Sequence, residues 1–259
     1  MSVHSFQNYV EIFTHPQPPL VWSLLVSVFG DLAASEDTEL SSGALGLITQ
    51  TIGIKPEATR VALHRLRKDG WLESRRTGRT SVYFLTEHGR AETMTASPRI
   101  YSEHALERAA WLVVGPNRTF KTGVEVAAGV SITASQPNSH DALVMSLTSE
   151  DDLPNWMTDQ ICPLELVQLT ASATRKLSDL RSRLSQSPSL TPVETAVLRV
   201  LIVHTWRRIV LRTPQLPDRV FPQDWTGAEC RALAHQLLQA LPAPAPHELV
   251  PQTSDLNSG

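Results

Sequence analysis

The chain has 259 residues, 41% hydrophobic and 19% charged, with a formal net charge of −3. That is enough chain for two or three domains with proper cores. No apolar run reaches the ~18 residues that span a bilayer. The opening MSVHSFQNYVEIF lacks the basic start, apolar stretch and cleavage site of a secretory leader. A membrane span is therefore excluded, a cytoplasmic chain is expected, and net acidity argues against a protein that coats nucleic acid over its whole surface.

Residues 16–19, PQPP, break any preceding helix. LVWSLLVSVFGDLAA (20–34) is apolar on more than one face and reads as a buried helix. A short polar link at 35–41 follows. Ser41 or Ser42 then caps a helix through about Ile52, stopped by Gly53. Lys55-Pro56-Glu57 opens a third helix, running to about Asp69 with Gly70 just beyond. Two helices joined by so few residues read as a helix-turn-helix. WLESRR and TSVYFLT, separated by Thr77-Gly78-Arg79, read as a β-hairpin. This order is that of a winged helix-turn-helix ending near residue 95.

Residues 96–110 form a connecting segment that begins with a proline and becomes helical. WLVVGP (111–116), VEVAAGVSIT (124–133) and ALVMSLT (142–148) read as strands. EDDLPNWMTDQI (150–161) reads as a helix whose acids, Glu150, Asp151 and Asp152, occupy its first turn, and 164–187 is mostly helical. Residues 193–212 form a long helix, 212–227 a proline-rich loop and 228–241 a closing helix, before a tail without apolar periodicity. The expected architecture is α+β: a winged helix-turn-helix domain at 1–95, an α+β domain at 96–187 and a helical domain with a flexible tail at 188–259.

The charge is uneven. Residues 55–90 hold nine Lys or Arg against four acids, and 199–219 hold five Arg against Asp218. At 100° per residue, Ala58, Thr59, Ala62, Leu63 and Leu66 share one side of the third helix. Glu57, Arg60, Val61, His64, Arg67 and Lys68 share the other, with Arg65 at the boundary. A major groove admits such a helix, and base contacts come mainly from its N-terminal part. Arg60 and His64 are therefore the candidates for base edges, and Val61 for a thymine methyl. Arg67 and Lys68 suit phosphates, and Arg75, Arg76 and Arg79 on the hairpin suit the backbone or a narrow minor groove. Such a face on an acidic body points to duplex DNA.

Three stretches resemble the PaaX family of transcriptional repressors: VWSLLVSVFGDL (21–32), GIKPEATRVALHRLRKDGWLESRRTGRTSVYFLTEHGR (53–90) and HTWRRIVLRTPQLPDRVFPQDWTG (204–227). The resemblance implies a homodimeric repressor of phenylacetate-degradation genes, with a winged helix, a small ferredoxin-like middle domain and a helical C-terminal domain. It also implies release from the operator by an acyl-CoA thioester, phenylacetyl-CoA. His204, Trp206, Arg207, Arg208 and Arg212 cluster on and after one helix. Arginine forks suit the phosphates of a CoA, and an aromatic ring suits its adenine or the aryl group. The bland alternative keeps Trp206 and His204 in the core and pairs the arginines with acids.

No GxSxG, P-loop, HExxH or GxGxxG occurs, and the nine histidines lack ligand spacing, so neither an enzyme nor a metal site is expected. Cys162 and Cys230 read as buried thiols. A regulator answering to a different effector, or to protein partners, is the main alternative.

Overall fold

The computed structural model describes residues 3–16, 18–103, 109–116, 123–138, 140–148, 152–185 and 189–250. The fold is α+β, and the chain divides into two compact units. The first comprises residues 1–98, 179–205 and 236–259, and the second 99–178 and 206–235. The helices expected to form a third domain at 188–259 are thus distributed over both.

The first unit opens with α1 (Val3–Thr14) and α2 (Val21–Leu32). Leu24, Leu25, Val28 and Phe29 bury one side of α2 almost completely. Next come β1 (Leu40–Ser41), α3 (Ser42–Thr51), α4 (Pro56–Lys68), β2 (Leu72–Thr77), β3 (Thr80–Leu85) and α5 (Glu87–Tyr101). The hairpin turns at Gly78 (φ 61°), and Thr77 pairs with Thr80. β1 is a strand that the polar link at 35–41 did not reveal. Leu40 and Ser41 pair with Tyr83 and Val82, so a three-stranded sheet runs β1-β3-β2. Two residues are too few to show a period of two.

The expected boundary near 95 falls inside α5, which runs through Pro98. Packing outweighs the hydrogen bond that a proline removes from a helix interior. Thr86 starts this helix: its hydroxyl accepts from the Gly89 N–H (3.0 Å) and donates to the Gly70 carbonyl (2.6 Å).

Helix α7 (Leu164–Leu184) and helix α8 (Pro192–Val210) each contribute residues to both units. Residues 196–204 of α8 are buried on every face. Arg199 among them forms a two-pronged ion pair with Asp31 (2.8 and 2.9 Å) and donates to the carbonyls of Leu238 and Leu241. The first part of the tail is ordered, where a 3-10 turn (Pro246–Glu248) leads to a fully buried Leu249. One anchored leucine gives no periodicity to read. Residues 251–259 lie outside the described residues.

The second unit holds β4 (Ala110–Val114), β5 (Gly123–Ala127), β6 (Val130–Thr133) and β7 (Leu143–Leu147) in one antiparallel sheet ordered β5-β6-β4-β7. The single strand expected at 124–133 is a hairpin. It turns at Gly129 (φ 74°), whose carbonyl accepts from Gly115 N–H at 2.9 Å. The turn lies in an Ala-Ala-Gly run without the polar residues that usually mark one. The sheet order β5-β6-β4-β7, antiparallel throughout, matches the strand order of a ferredoxin-like fold, though its two crossover helices are not seen among the described residues. β6 reaches β7 without a helix, and only residues 115–122 separate β4 from β5. Helix α6 (Asn155–Ile161) starts at its cap Pro154, so Asp152 precedes it rather than filling its first turn, and Glu150 and Asp151 lie outside the described residues. The proline-rich loop carries a 3-10 turn (Asp218–Val220) and leads into α9 (Gly227–Ala240).

Candidate nucleic-acid interface

α4 is bracketed by two caps of the same kind. At the end of α3, Gly53 (φ 89°) donates to the Gln50 carbonyl and Ile54 to the Thr49 carbonyl, both at 2.9 Å. At the end of α4, Gly70 (φ 73°) donates to Arg67 (3.1 Å) and Trp71 to Leu66 (2.9 Å). These paired bonds form Schellman motifs, and their left-handed residue suits glycine. Ser41 caps α3 by accepting from the Ala44 N–H at 3.0 Å. The Thr59 hydroxyl donates to that of Thr49 (3.1 Å), a buried bond between α4 and α3. Packing on α2 and α3 then fixes which side of α4 faces out.

That side is the one the periodicity assigns. Thr59, Ala62, Leu63 and Leu66 are buried, and Arg60, Val61, His64, Arg65, Arg67 and Lys68 are exposed. Arg60 pairs with Glu57 one turn earlier (2.9 Å), with both side chains more than 70% exposed. Val61 is 70% exposed. The side chains of His64, Arg67, Lys68 and Arg79 make no hydrogen bond or ion pair among the described residues. Arg65 lies 3.6 Å from Asp69, and its guanidinium carbon sits 5.1 Å from the ring centre of Trp22.

The hairpin cations differ. Arg75 forms a two-pronged pair with Glu39 (2.9 and 2.8 Å), which raises its pKa above the ordinary value through the hydrogen bond and then the charge. Arg76 bonds the Gly78 carbonyl at the turn (3.3 Å), and Arg79 is exposed at the tip. Arg75 is thus engaged within the protein. Glu39 is 36 residues distant in sequence, and no local signal announces it. Trp22 is the other residue that sequence reasoning passed over, because it lies in a run read as buried.

The residues suggested for an acyl-CoA are not brought together as one set. His204 is buried in the first unit, with Nδ1 3.2 Å from the Ser27 hydroxyl. Trp206 is 1% exposed in the second unit, and its indole N–H donates to the Ile100 carbonyl (3.0 Å). A ring so enclosed offers no face to an adenine. Arg207, Arg208 and Arg212 stay within the second unit. Arg212 pairs with Glu165 at 3.2 Å. Burial lowers the pKa of Arg207, as does the neighbouring charge of Arg208, whereas Tyr101 raises it. Burial also lowers the pKa of Lys176, again with Arg208 adding to the effect. Lys176, Arg207 and Arg208 therefore form a positive cluster that periodicity could not assemble, because Lys176 comes from α7.

Among the described residues, no helix is long and apolar enough to cross a membrane. Residues 21–89 match the family model described as PaaX-like protein, and residues 166–250 match that of the PaaX-like protein C-terminal domain. The chain is also similar to the transcriptional repressor PaaX of Escherichia coli (strain K12), at 26% identity over 92% of this chain and 85% of that protein. The first model covers α2 through β3 and the second covers α8 and α9. With two family models together spanning more than half of its residues, the chain belongs to the PaaX-like family.

Proposed function

We propose that this protein is a sequence-specific, DNA-binding transcriptional repressor, not an enzyme, and that its first unit binds duplex DNA as a winged helix-turn-helix. The observation that carries this reading is α4, with one side packed and the other lined by Arg60, His64, Arg67 and Lys68. α4 enters the major groove. Arg60 and His64 read base edges, with Val61 against a thymine methyl. Arg65, Arg67 and Lys68 hold phosphates, while the β2–β3 hairpin acts as the wing and offers Arg76 and Arg79 to the backbone. Arg75 supports the wing through Glu39.

The regulated genes are those of aromatic catabolism, here phenylacetate degradation, the acting form is a cytoplasmic homodimer, and the effector is phenylacetyl-CoA or a related aryl-CoA thioester. The similarity to the E. coli repressor supports this, as does the cluster of Lys176, Arg207 and Arg208 in the second unit, which suits the phosphates of a CoA. A homodimer would read two half-sites related by its own symmetry. Effector and operator must each weaken the other's binding by the same factor.

The enclosure of Trp206 and His204 favours a second reading, a winged-helix regulator whose effector is of another class or is a protein. One titration separates the two. Fluorescence anisotropy is followed on a labelled duplex from upstream of aromatic-catabolism genes, with phenylacetyl-CoA added. Tight binding relieved by the thioester, and not by phenylacetate or free CoA, is the expected result. Tight binding without response supports the second reading. No preference over random duplex overturns sequence-specific repression.

A further inference from the structure

Trp22 stands at the start of α2 on a side that the core does not cover, 38% exposed, and its indole N–H donates to no described residue. Arg65 lies over it from α4, with the guanidinium carbon 5.1 Å from the ring centre. Its other contact is Asp69 at 3.6 Å, where the two side chains are 60% and 50% exposed. So open and long a pair is weak and yields readily to a stronger anion. A guanidinium held against an indole by cation–π attraction is restricted in its orientation while N–H groups away from the ring stay open. An arginine edge prepared in this way matches a phosphate, whose oxygens accept two parallel hydrogen bonds. Arg67 and Lys68, exposed on the same helix, make the neighbourhood positive.

We propose that Trp22 and Arg65 form a clamp for one backbone phosphate beside the DNA-facing side of α4, with Trp22 as the positioning residue that holds the Arg65 guanidinium. The proposal rests on the DNA-binding reading given above. A phosphate clamp carries no base preference, so it acts alike on every duplex sequence.

The test measures affinity for a random-sequence duplex against salt concentration, for the full chain and for Arg65→Ala, Trp22→Leu, Trp22→Phe and the Trp22→Leu/Arg65→Ala double variant. Urea midpoints for each confirm folding. Losing one phosphate contact lowers the magnitude of the slope of log K against log salt by about 0.9. Arg65→Ala is expected to show that loss with about three- to tenfold weaker binding. Trp22→Leu removes no charge, yet is expected to lower the slope in the same way, because the arginine is no longer held. Trp22→Phe keeps a ring face and recovers most of the slope. The double variant binds no more weakly than Arg65→Ala alone, since the two residues act as one unit. A Trp22→Leu protein with the full slope, or losses that add in the double variant, overturns the clamp. Absence of duplex binding by the unaltered chain overturns the DNA-binding reading itself.

Discussion

Along α4, chemistry changes within three turns. On the proposed DNA-binding reading, Arg60 lies in the half of α4 that would reach base edges, beside Glu57 at 2.9 Å. On that reading the carboxylate would repel phosphate and so disfavour loose non-specific contact. Lys68 lies at the other end, a mobile point charge without a partner among the described residues. Arg60→Ala should relax preference at one base position by about 1–3 kcal/mol and leave the salt slope nearly unchanged. Lys68→Ala should weaken all sequences alike and lower the slope by about 1. Competition binding with single-base operator variants, repeated across salt, measures both. Identical behaviour of the two variants would mean that α4 enters the groove in another orientation.

At the scale of elements, Gly89 is the sharpest constraint on the hairpin and its neighbours. It lies in the first turn of α5, where alanine would ordinarily stabilise by about 0.5–1 kcal/mol. A Cβ there would run into the Trp71 carbonyl and stand 3.1 Å from a Leu85 methyl. The carbonyl is backbone, just after the cap of α4, and cannot swing aside. Gly89→Ala should therefore destabilise by about 1–3 kcal/mol, seen as a lower urea midpoint at unchanged m. A gain in stability would show that α5 has room to shift. The sequence made α4 legible because its face is strongly amphipathic and glycines close both ends. β1 and the turn at Gly129 were not legible. The first is two residues long, and the second interrupts an apolar run with no polar turn residue. The pairing of Arg75 with Glu39 and the enclosure of Trp206 under Ile100 depend on contacts distant in sequence, and composition carries no trace of them. The outward face of α4 could thus be read residue by residue, whereas the surroundings of Trp206 and the arginines after it could not.

For the whole molecule, the two thiols give a readout of the second unit, which contains both. Burial pushes Cys162 up to about 11, with Asp224 adding to the shift. Burial pushes Cys230 up to about 12, against a hydrogen bond with Thr174 and the charge of Arg231, with Glu229 raising it further. The thiolate is the reactive form, so native protein at pH 8 should resist iodoacetamide while unfolded protein reacts at once. The same shifts bear on stability. A thiol whose folded pKa lies above its ordinary 9.0 ionises first in the unfolded chain. Its contribution is complete below about pH 9 and is lost as pH rises through the folded value. For Cys230 the loss is at most about 1.4 kcal/mol per pH unit in that window. Tyrosines and lysines titrate nearby, so the comparison that isolates the thiol is urea midpoints at pH 8, 9 and 10 for the native chain and for Cys230→Ala. The alanine variant should start less stable and fall less steeply. Parallel lines, together with rapid alkylation of the native protein at pH 8, would mean that the second unit opens to solvent far more often than its packing implies.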